Sequence, residues 1–196
     1  MKEERVVPIG RALGFLIEAE GQKLFSVGNG IVQVELPEFE YILWNQLSQF
    51  DSLVEWKKVI ASKVKKYPNI NLDTILKKYE MLNLMKQWQF DDTEDPELIG
   101  IFVTRNGYAH GEIEGEWVIG DESTKHNVTL TKEQYMLWNA AAGGATLLQV
   151  VDAVMTKLNL NEEEALLLLN RQGYLFVQLG FWNAEYLEFL IQGDAQ

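Results

Sequence analysis

The stretch Leu36-Pro-Glu-Phe-Glu-Tyr-Ile-Leu-Trp-Asn45 returns 94 positions later as Leu130-Thr-Lys-Glu-Gln-Tyr-Met-Leu-Trp-Asn139. Five of the ten positions are identical, and tryptophan is too rare for the shared Leu-Trp-Asn run to arise easily by accident. An internal repeat of this kind indicates that one structural unit is used twice. Positions that agree between the copies are expected to serve the fold, and positions that differ are candidates for function.

The agreement continues as two apolar stripes with helical spacing. Steps of three and four residues relate Leu53, Trp56, Ile60 and Val64 in the first copy and Leu147, Val150, Val154 and Leu158 in the second. This spacing predicts a second helix after the tryptophan helix, and Ser52-x-x-Glu55 and Thr146-x-x-Gln149 are typical capping boxes for its start. Thr131-x-x-Gln134 predicts the same motif at the start of the second tryptophan helix. Asn71 and Asn161 are typical N-caps and predict the start of a third helix. We expect that helix to end at Asn83 in the first copy and at Gly173 in the second.

Strand-like sequence surrounds each set of three helices. Apolar runs precede the helices at residues 13–17, 24–27 and 31–34 in the first copy and at 99–103 and 116–119 in the second. Asn106-Gly107 predicts a hairpin. Residues 84–90 and 174–179 are predicted as closing strands, and 182–191 as a final amphipathic helix. The predicted fold class is α+β, with two tandem winged-helix-like modules (strands, three short helices, closing strand) related by internal duplication.

Composition bounds the organisation of the chain. Residues 1–90 are predicted to form a first module with basic helices, 91–97 an acidic linker, and 98–196 a second, acidic module with a C-terminal helix. A hydrophobic content of 47% is ample for two cores, and the absence of cysteine excludes disulfides and thiolate chemistry. No signal-like start and no run of membrane-spanning length occur, so we expect a cytoplasmic protein without a membrane partner.

Charge differs sharply between the copies. Residues 1–90 carry 12 basic and 11 acidic side chains, whereas residues 91–196 carry 5 basic and 18 acidic ones. The lysines of the first copy concentrate on its second and third helices: Lys57, Lys58, Lys63, Lys65, Lys66, Lys77 and Lys78. In winged helices such residues contact phosphates, so nucleic acid is one predicted partner. The alternative is a solvated helix surface, and the set contains no arginine, the commonest reader of guanine.

The second copy replaces three of these lysines by apolar residues. Val151, Leu167 and Leu168 occupy the positions of Lys57, Lys77 and Lys78. The third helix of the second copy is thereby apolar around more than one face, and such a surface has to be covered. The cover could be the rest of the chain, a second copy in a homodimer, or a different protein or peptide. We therefore predict a protein interface at Val151, Leu167 and Leu168.

Sequence signatures of catalysis are missing. His110 and His126 have no metal-ligand spacing to another histidine. Neither a phosphate-binding loop nor a nucleophile elbow occurs. The repeated tyrosines and tryptophans of the two first helices are predicted as core. We therefore expect no catalytic residue, no cofactor, no metal site and no enzymatic activity.

The element order around the repeated Leu-Trp-Asn run resembles winged-helix folds. More narrowly, it is similar to the small peptide-recognition domains related to the PQQ-biosynthesis chaperone. The resemblance covers both copies and implies that a peptide adds to a sheet edge beside the third helix. The expected function is that of a non-enzymatic cytoplasmic adaptor or regulator that binds a protein or peptide. The alternative is a winged-helix transcription regulator that contacts nucleic acid through the lysines of the first copy.

Overall fold

A computed structural model describes residues 5–18, 21–50, 52–65, 70–121 and 126–187 of the chain. These residues form an α+β structure with small antiparallel sheets. The chain divides into two compact units, residues 1–88 (unit 1) and residues 89–196 (unit 2). The segment 91–97, predicted as a linker, is counted in unit 2.

Unit 1 contains a strand, a three-stranded meander, three helices and a second short strand. The strands are β1 (Val6–Pro8), β2 (Arg11–Ile17), β3 (Lys23–Gly28), β4 (Gln33–Pro37) and β5 (Met85–Gln87). The helices are α1 (Glu38–Asn45), α2 (Leu53–Val64) and α3 (Leu72–Met81), with a 3-10 turn at Leu47–Gln49. β1 pairs antiparallel with β5, and β2, β3 and β4 form an antiparallel sheet in that order.

The core of unit 1 is tied together by hydrogen bonds from buried aromatic side chains. The Trp44 indole N–H donates to the Leu84 carbonyl at 2.7 Å, which connects α1 to the residue before β5. The Tyr79 hydroxyl donates to the Glu40 carbonyl at 2.5 Å, which connects α3 to α1. Burial, and then the Glu40 charge, raise the pKa of Tyr79, so this hydroxyl keeps its proton.

Unit 2 repeats this order with additional elements. Its strands are β6 (Ile101–Arg105), β7 (Tyr108–Ile113), β8 (Glu116–Asp121), β9 (His126–Leu130), β10 (Ala145–Thr146) and β11 (Trp182–Tyr186). Its helices are α4 (Pro96–Gly100), α5 (Lys132–Ala140), α6 (Leu147–Leu158), α7 (Glu162–Leu168) and α8 (Tyr174–Gln178). A π-helical stretch, Leu169–Gly173, joins α7 to α8. β6 pairs with both β10 and β11, and β7, β8 and β9 form a meander.

The two meanders have the same register. Phe25 lies opposite Leu36 in unit 1, and Trp117 lies opposite Leu130 in unit 2. In each unit the first strand pair shifts register just before a glycine with positive φ, Gly14 or Gly111. A bulge of this kind suits glycine, which alone adopts such φ values freely.

An aromatic stack repeats as well. The Phe25 ring stacks on Tyr41 with centroids 4.2 Å apart, and the Trp117 ring stacks on Tyr135 with centroids 3.8 Å apart. Each tyrosine ring also packs against the ring of the buried tryptophan in its own helix, with centroids 5.9 Å apart in unit 1 and 5.8 Å apart in unit 2. The recurring Tyr-x-x-Trp pair therefore fastens α1 and α5 to the meanders of their units, and both tryptophans are core residues.

The third helical region is seven residues longer in unit 2. Asn71 and Asn161 cap its start and are 90 positions apart. Asn83 and Gly180, which follow its end with left-handed φ values, are 97 positions apart. The extra residues are absorbed by the π-helical stretch and α8. Inserted residues commonly appear as π-turns inside otherwise regular helices, often at functional positions.

Three expectations for this part of unit 2 are wrong. Gly173 does not end a helix, because its φ of −60° is helical and the chain continues into α8. Residues 174–178, predicted as a closing strand, are helical, and the closing strand is β11. β11 lies in the segment 182–191 that was predicted as a helix, of which residues 188–191 fall outside the described part. A short apolar run such as Tyr174–Val177 fits a buried helix as well as a strand, so periodicity could not decide.

The predicted hairpin at Asn106-Gly107 is also wrong. These residues connect β6 to β7, which belong to different sheets. The hairpin turn lies at Glu114-Gly115, where both residues have positive φ, as a type I′ turn requires. Glutamate is uncommon at that position, so the sequence carried no signal for it.

The predicted helix starts are confirmed. Thr131, Thr146 and Asn161 form reciprocal capping boxes with the residue three positions later. At Ser52 the side chain accepts from the Glu55 amide, without the reciprocal bond of a full capping box among the described residues. None of the helices in the described part of the chain has the length and apolar character needed to cross a bilayer.

Candidate functional site

The two leucines that replace lysines lie on the outside of α7. Leu167 is 48% exposed and Leu168 is partly exposed, while the residues on either side of the pair are buried. On α3, Lys77 is likewise exposed and Lys78 partly exposed, and the residues on either side of the pair are buried. Burial therefore supports the alignment of the two helices, and the exchange changes surface chemistry without touching the core. We call Leu167, Leu168 and the side chains around them the α7 surface.

Val151 does not belong to this surface. Its side chain has no exposed area, because α6 packs against α4, α5 and α7. The expectation that Val151 contributes to a protein interface is therefore corrected: Val151 is part of the unit 2 core.

A depression of about 420 Å³ lies on one side of Leu167. Three apolar side chains, three carboxylates and one carboxamide line it: Phe90, Leu166, Leu167, Asp91, Glu162, Glu163 and Asn170. Its apolar lining offers contacts to an apolar side chain, and its polar lining is almost entirely acidic.

A second depression of about 270 Å³ lies on the other side of Leu167. Its lining combines three leucines with four polar side chains: Leu160, Leu167, Leu168, Glu133, Glu164, Arg171 and Gln172. Leu167 lines both depressions and thus forms a ridge between them. An exposed apolar ridge flanked by two recesses is a shape that another protein surface can enclose.

The walls of both depressions depend on the π-helical stretch. The Asn170 carboxamide accepts from the Phe90 amide at 2.9 Å and donates to the Phe90 carbonyl at 2.8 Å. The Gln134 side chain of α5 donates to the Gln172 side chain at 2.9 Å. Thr93 adds bonds from its amide and hydroxyl to Glu162, at 3.1 and 2.8 Å. The π-helical stretch thus holds the segment after Phe90 through Asn170 and holds α5 through Gln172.

Negative charge surrounds the α7 surface. The two depressions are lined by five carboxylates and one guanidinium, that of Arg171. Hydrogen bonds from its own backbone amide and from the Thr131 hydroxyl lower the pKa of Glu133, so this carboxylate is ionised near neutral pH. The Glu163 side chain is exposed and makes no hydrogen bond or ion pair with other described residues. Its charge is therefore available to a partner.

The lysines of unit 1 are surface residues. Lys57 pairs with Asp73 at 2.9 Å, and Lys78 pairs with Glu40 at 2.6 Å. Four further members of the predicted nucleic-acid set are exposed: Lys58, Lys63, Lys65 and Lys77. Lys66 lies outside the described residues. Acidic neighbours already neutralise two members of the set, which weakens their pull on phosphates.

An exposed apolar strand was not foreseen. β2 is an edge strand of its sheet, and four of its large apolar side chains are 48% to 65% exposed: Leu13, Phe15, Leu16 and Ile17. The sequence signalled a strand here but not its exposure, since a run of apolar residues usually predicts a buried strand.

The described residues contain no cluster of potential metal ligands. No group of three or more histidine, aspartate or glutamate side chains there could hold a metal ion. His110 packs edge-on against Tyr108, with ring centroids 4.8 Å apart, and the His126 side chain is outside the described part. Comparison with known proteins found no matching family model, no matching curated protein and no matching solved structure.

Proposed function

We propose that the chain is a non-enzymatic cytoplasmic adaptor or regulator that binds a protein or peptide through the α7 surface. The observation that carries this proposal is Leu167, which stays 48% exposed between two depressions where unit 1 has a lysine. Full burial of a leucine side chain is worth roughly 1.5–3 kcal/mol. About half of that free energy remains to be gained when a partner covers Leu167.

We also propose that units 1 and 2 are winged-helix-like modules related by internal duplication. The shared strand register, the paired bulges at Gly14 and Gly111, and the repeated aromatic stack support this history. After duplication the core positions of the third helix kept their character, while the exposed pair changed from lysine to leucine. Leucine in place of lysine at an exposed position favours contact with another protein over contact with water.

The α7 surface is tested by giving unit 2 the side chains of unit 1. The double variant Leu167→Lys, Leu168→Lys should fold normally, because α3 carries lysines at these positions. Tagged wild type and variant are used to capture proteins from native lysate, with and without nuclease, and the captured proteins are quantified by mass spectrometry. Proteins enriched by the wild type in both conditions should be lost with the variant.

The matched control is Leu179→Lys, which places the same charge at a leucine that is 42% exposed but lines neither depression. It should capture the same proteins as the wild type. Sedimentation equilibrium of the purified proteins shows whether the partner is a second copy of the chain. The proposal fails if the double variant captures and self-associates like the wild type, or if all capture disappears on nuclease treatment.

A further inference from the structure

The surroundings of Leu167 restrict the chemistry of its partner. Apolar side chains line each depression, and the carboxylates beside them are Asp91, Glu162 and Glu163 on one side and Glu133 and Glu164 on the other. A partner that is only apolar would leave these charges desolvated beside it, which is unfavourable. An acidic partner would be repelled.

Part of this charge has a role in the fold. Glu162, Glu163 and Glu164 lie in the first turn of α7, where negative charge stabilises the helix dipole. Glu164 completes the capping box with Asn161. Glu133 lies in the first turn of a different helix, α5, Asp91 precedes α4, and the two line opposite depressions. The acidity of the α7 surface is therefore more than a feature of one helix start.

We propose that the α7 surface receives a cationic amphipathic segment of a partner protein. Apolar side chains of the segment fill the depressions on both sides of Leu167, and its lysines or arginines lie against the carboxylates. This inference rests on the proposed function and adds the chemical class of the partner. Charge complementarity supports it, since Arg171 is the one cation among the described residues that line the two depressions.

The probes are three short synthetic helical peptides. The first places leucines at positions i, i+3, i+4 and i+7 and lysines elsewhere. The second has glutamate in place of lysine, and the third has serine in place of leucine. Binding of each peptide to the full chain is measured by isothermal titration calorimetry, at low and at physiological salt. The leucine–lysine peptide should bind tightest, and added salt should weaken its binding.

Two variants and two matched controls locate the binding. Leu167→Lys and Glu163→Lys should each weaken binding of the leucine–lysine peptide by about tenfold, a change of about 1.4 kcal/mol. Leu179→Lys and Glu112→Lys, which change the same residue types at exposed positions outside both depressions, should leave the affinity nearly unchanged. Circular dichroism of all four variants confirms that they fold.

The outcomes separate this inference from the proposed function. If the leucine–glutamate peptide binds as tightly and Leu167→Lys still weakens it, the partner is not cationic but the α7 surface remains a binding site. If the serine–lysine peptide matches the leucine–lysine peptide, the attraction is charge alone and the amphipathic segment is refuted. If Leu167→Lys has no effect on any peptide while binding persists, the site lies elsewhere and both proposals fail. Absence of binding by the leucine–lysine peptide also overturns the inference, whereas loss of lysate partners with the double variant would still support the proposed function.

Discussion

The third helix of unit 1 and its counterpart in unit 2 begin alike and end differently. Each starts at an asparagine N-cap and buries two equivalent positions, Leu76 and Tyr79 in unit 1 and Leu166 and Leu169 in unit 2. α3 then stops at Met81, whereas α7 continues through the π-helical stretch into α8. Seven residues make nearly two turns at 3.6 residues per turn, so the insertion nearly restores the direction of the buried face. A helix can therefore be lengthened in this way with little disturbance of the core beneath it.

The comparison also separates residues that serve the fold from those that have diverged. Tyr41 and Tyr135 make the same stack in both units, and the tryptophans that follow them are equally buried. Lys77 and Leu167 occupy equivalent exposed positions and differ completely in character. The aromatic stack has therefore been kept in both units, while the exposed face of the third helix has changed its chemistry.

The largest expected effect comes from removing the hydrogen bonds that Asn170 makes beside the α7 surface. Asn170→Ala removes both hydrogen bonds to the backbone of Phe90, whose side chain is buried, and should lower the free energy of unfolding of unit 2 by about 2 kcal/mol. Its unit 1 counterpart, Glu80→Ala, changes an exposed residue and should cost less than about 0.5 kcal/mol. Urea unfolding monitored by circular dichroism measures both. Equal costs would show that the segment after Phe90 is not held through Asn170.

The contacts of Asn170 also show which features the sequence could not predict. The capping motifs at Thr131, Thr146 and Asn161 have local signatures, and all three were foreseen and are confirmed. Asn170 was missed, because its partner lies 80 positions away and a single asparagine has no local pattern. The apolar run after it permits helix or strand, and only the pairing of β6 with β11 decides between them.

Exposure was predictable only in part. The exchange of lysine for leucine on α7 indicated an apolar surface, and Leu167 is exposed. Val151 also replaces a lysine of unit 1, but its side chain is buried. The difference arises because α6 is covered by three helices, which no local pattern reveals. The same holds for β2, whose position at the edge of its sheet follows from strand order alone.

A smaller effect should distinguish the two repeated tryptophans. The Trp44 indole N–H donates to the Leu84 carbonyl, whereas the Trp138 indole N–H has no hydrogen-bond partner among the described residues. Replacement by phenylalanine removes similar volume at both positions. Trp44→Phe should therefore cost about 1 kcal/mol more than Trp138→Phe in the free energy of unfolding of its own unit. A larger cost for Trp138→Phe would contradict the assigned bonding.

The smallest effect on stability concerns the exposed strand of unit 1. Leu16→Lys on β2 should change the free energy of unfolding by less than about 0.5 kcal/mol, because Leu16 is 59% exposed. It should nevertheless reduce self-association at high concentration, since apolar edge strands pair with other chains. Ile113→Lys on β7, at a 61% exposed position, is the matched change in unit 2. Light scattering should respond to Leu16→Lys and much less to Ile113→Lys.

The central claim is that binding belongs to the α7 surface and not to its counterpart in unit 1. Titration of the leucine–lysine peptide into three chains tests it: the wild type, Leu167→Lys with Leu168→Lys, and that double variant carrying Lys77→Leu and Lys78→Leu in addition. We predict at least about a tenfold loss of affinity in the second chain. The third chain should not recover it, because unit 1 has Glu80 and Leu82 in place of Asn170 and Gln172 and so lacks their hydrogen bonds. Undiminished affinity in the second chain, or full recovery in the third, would contradict the account.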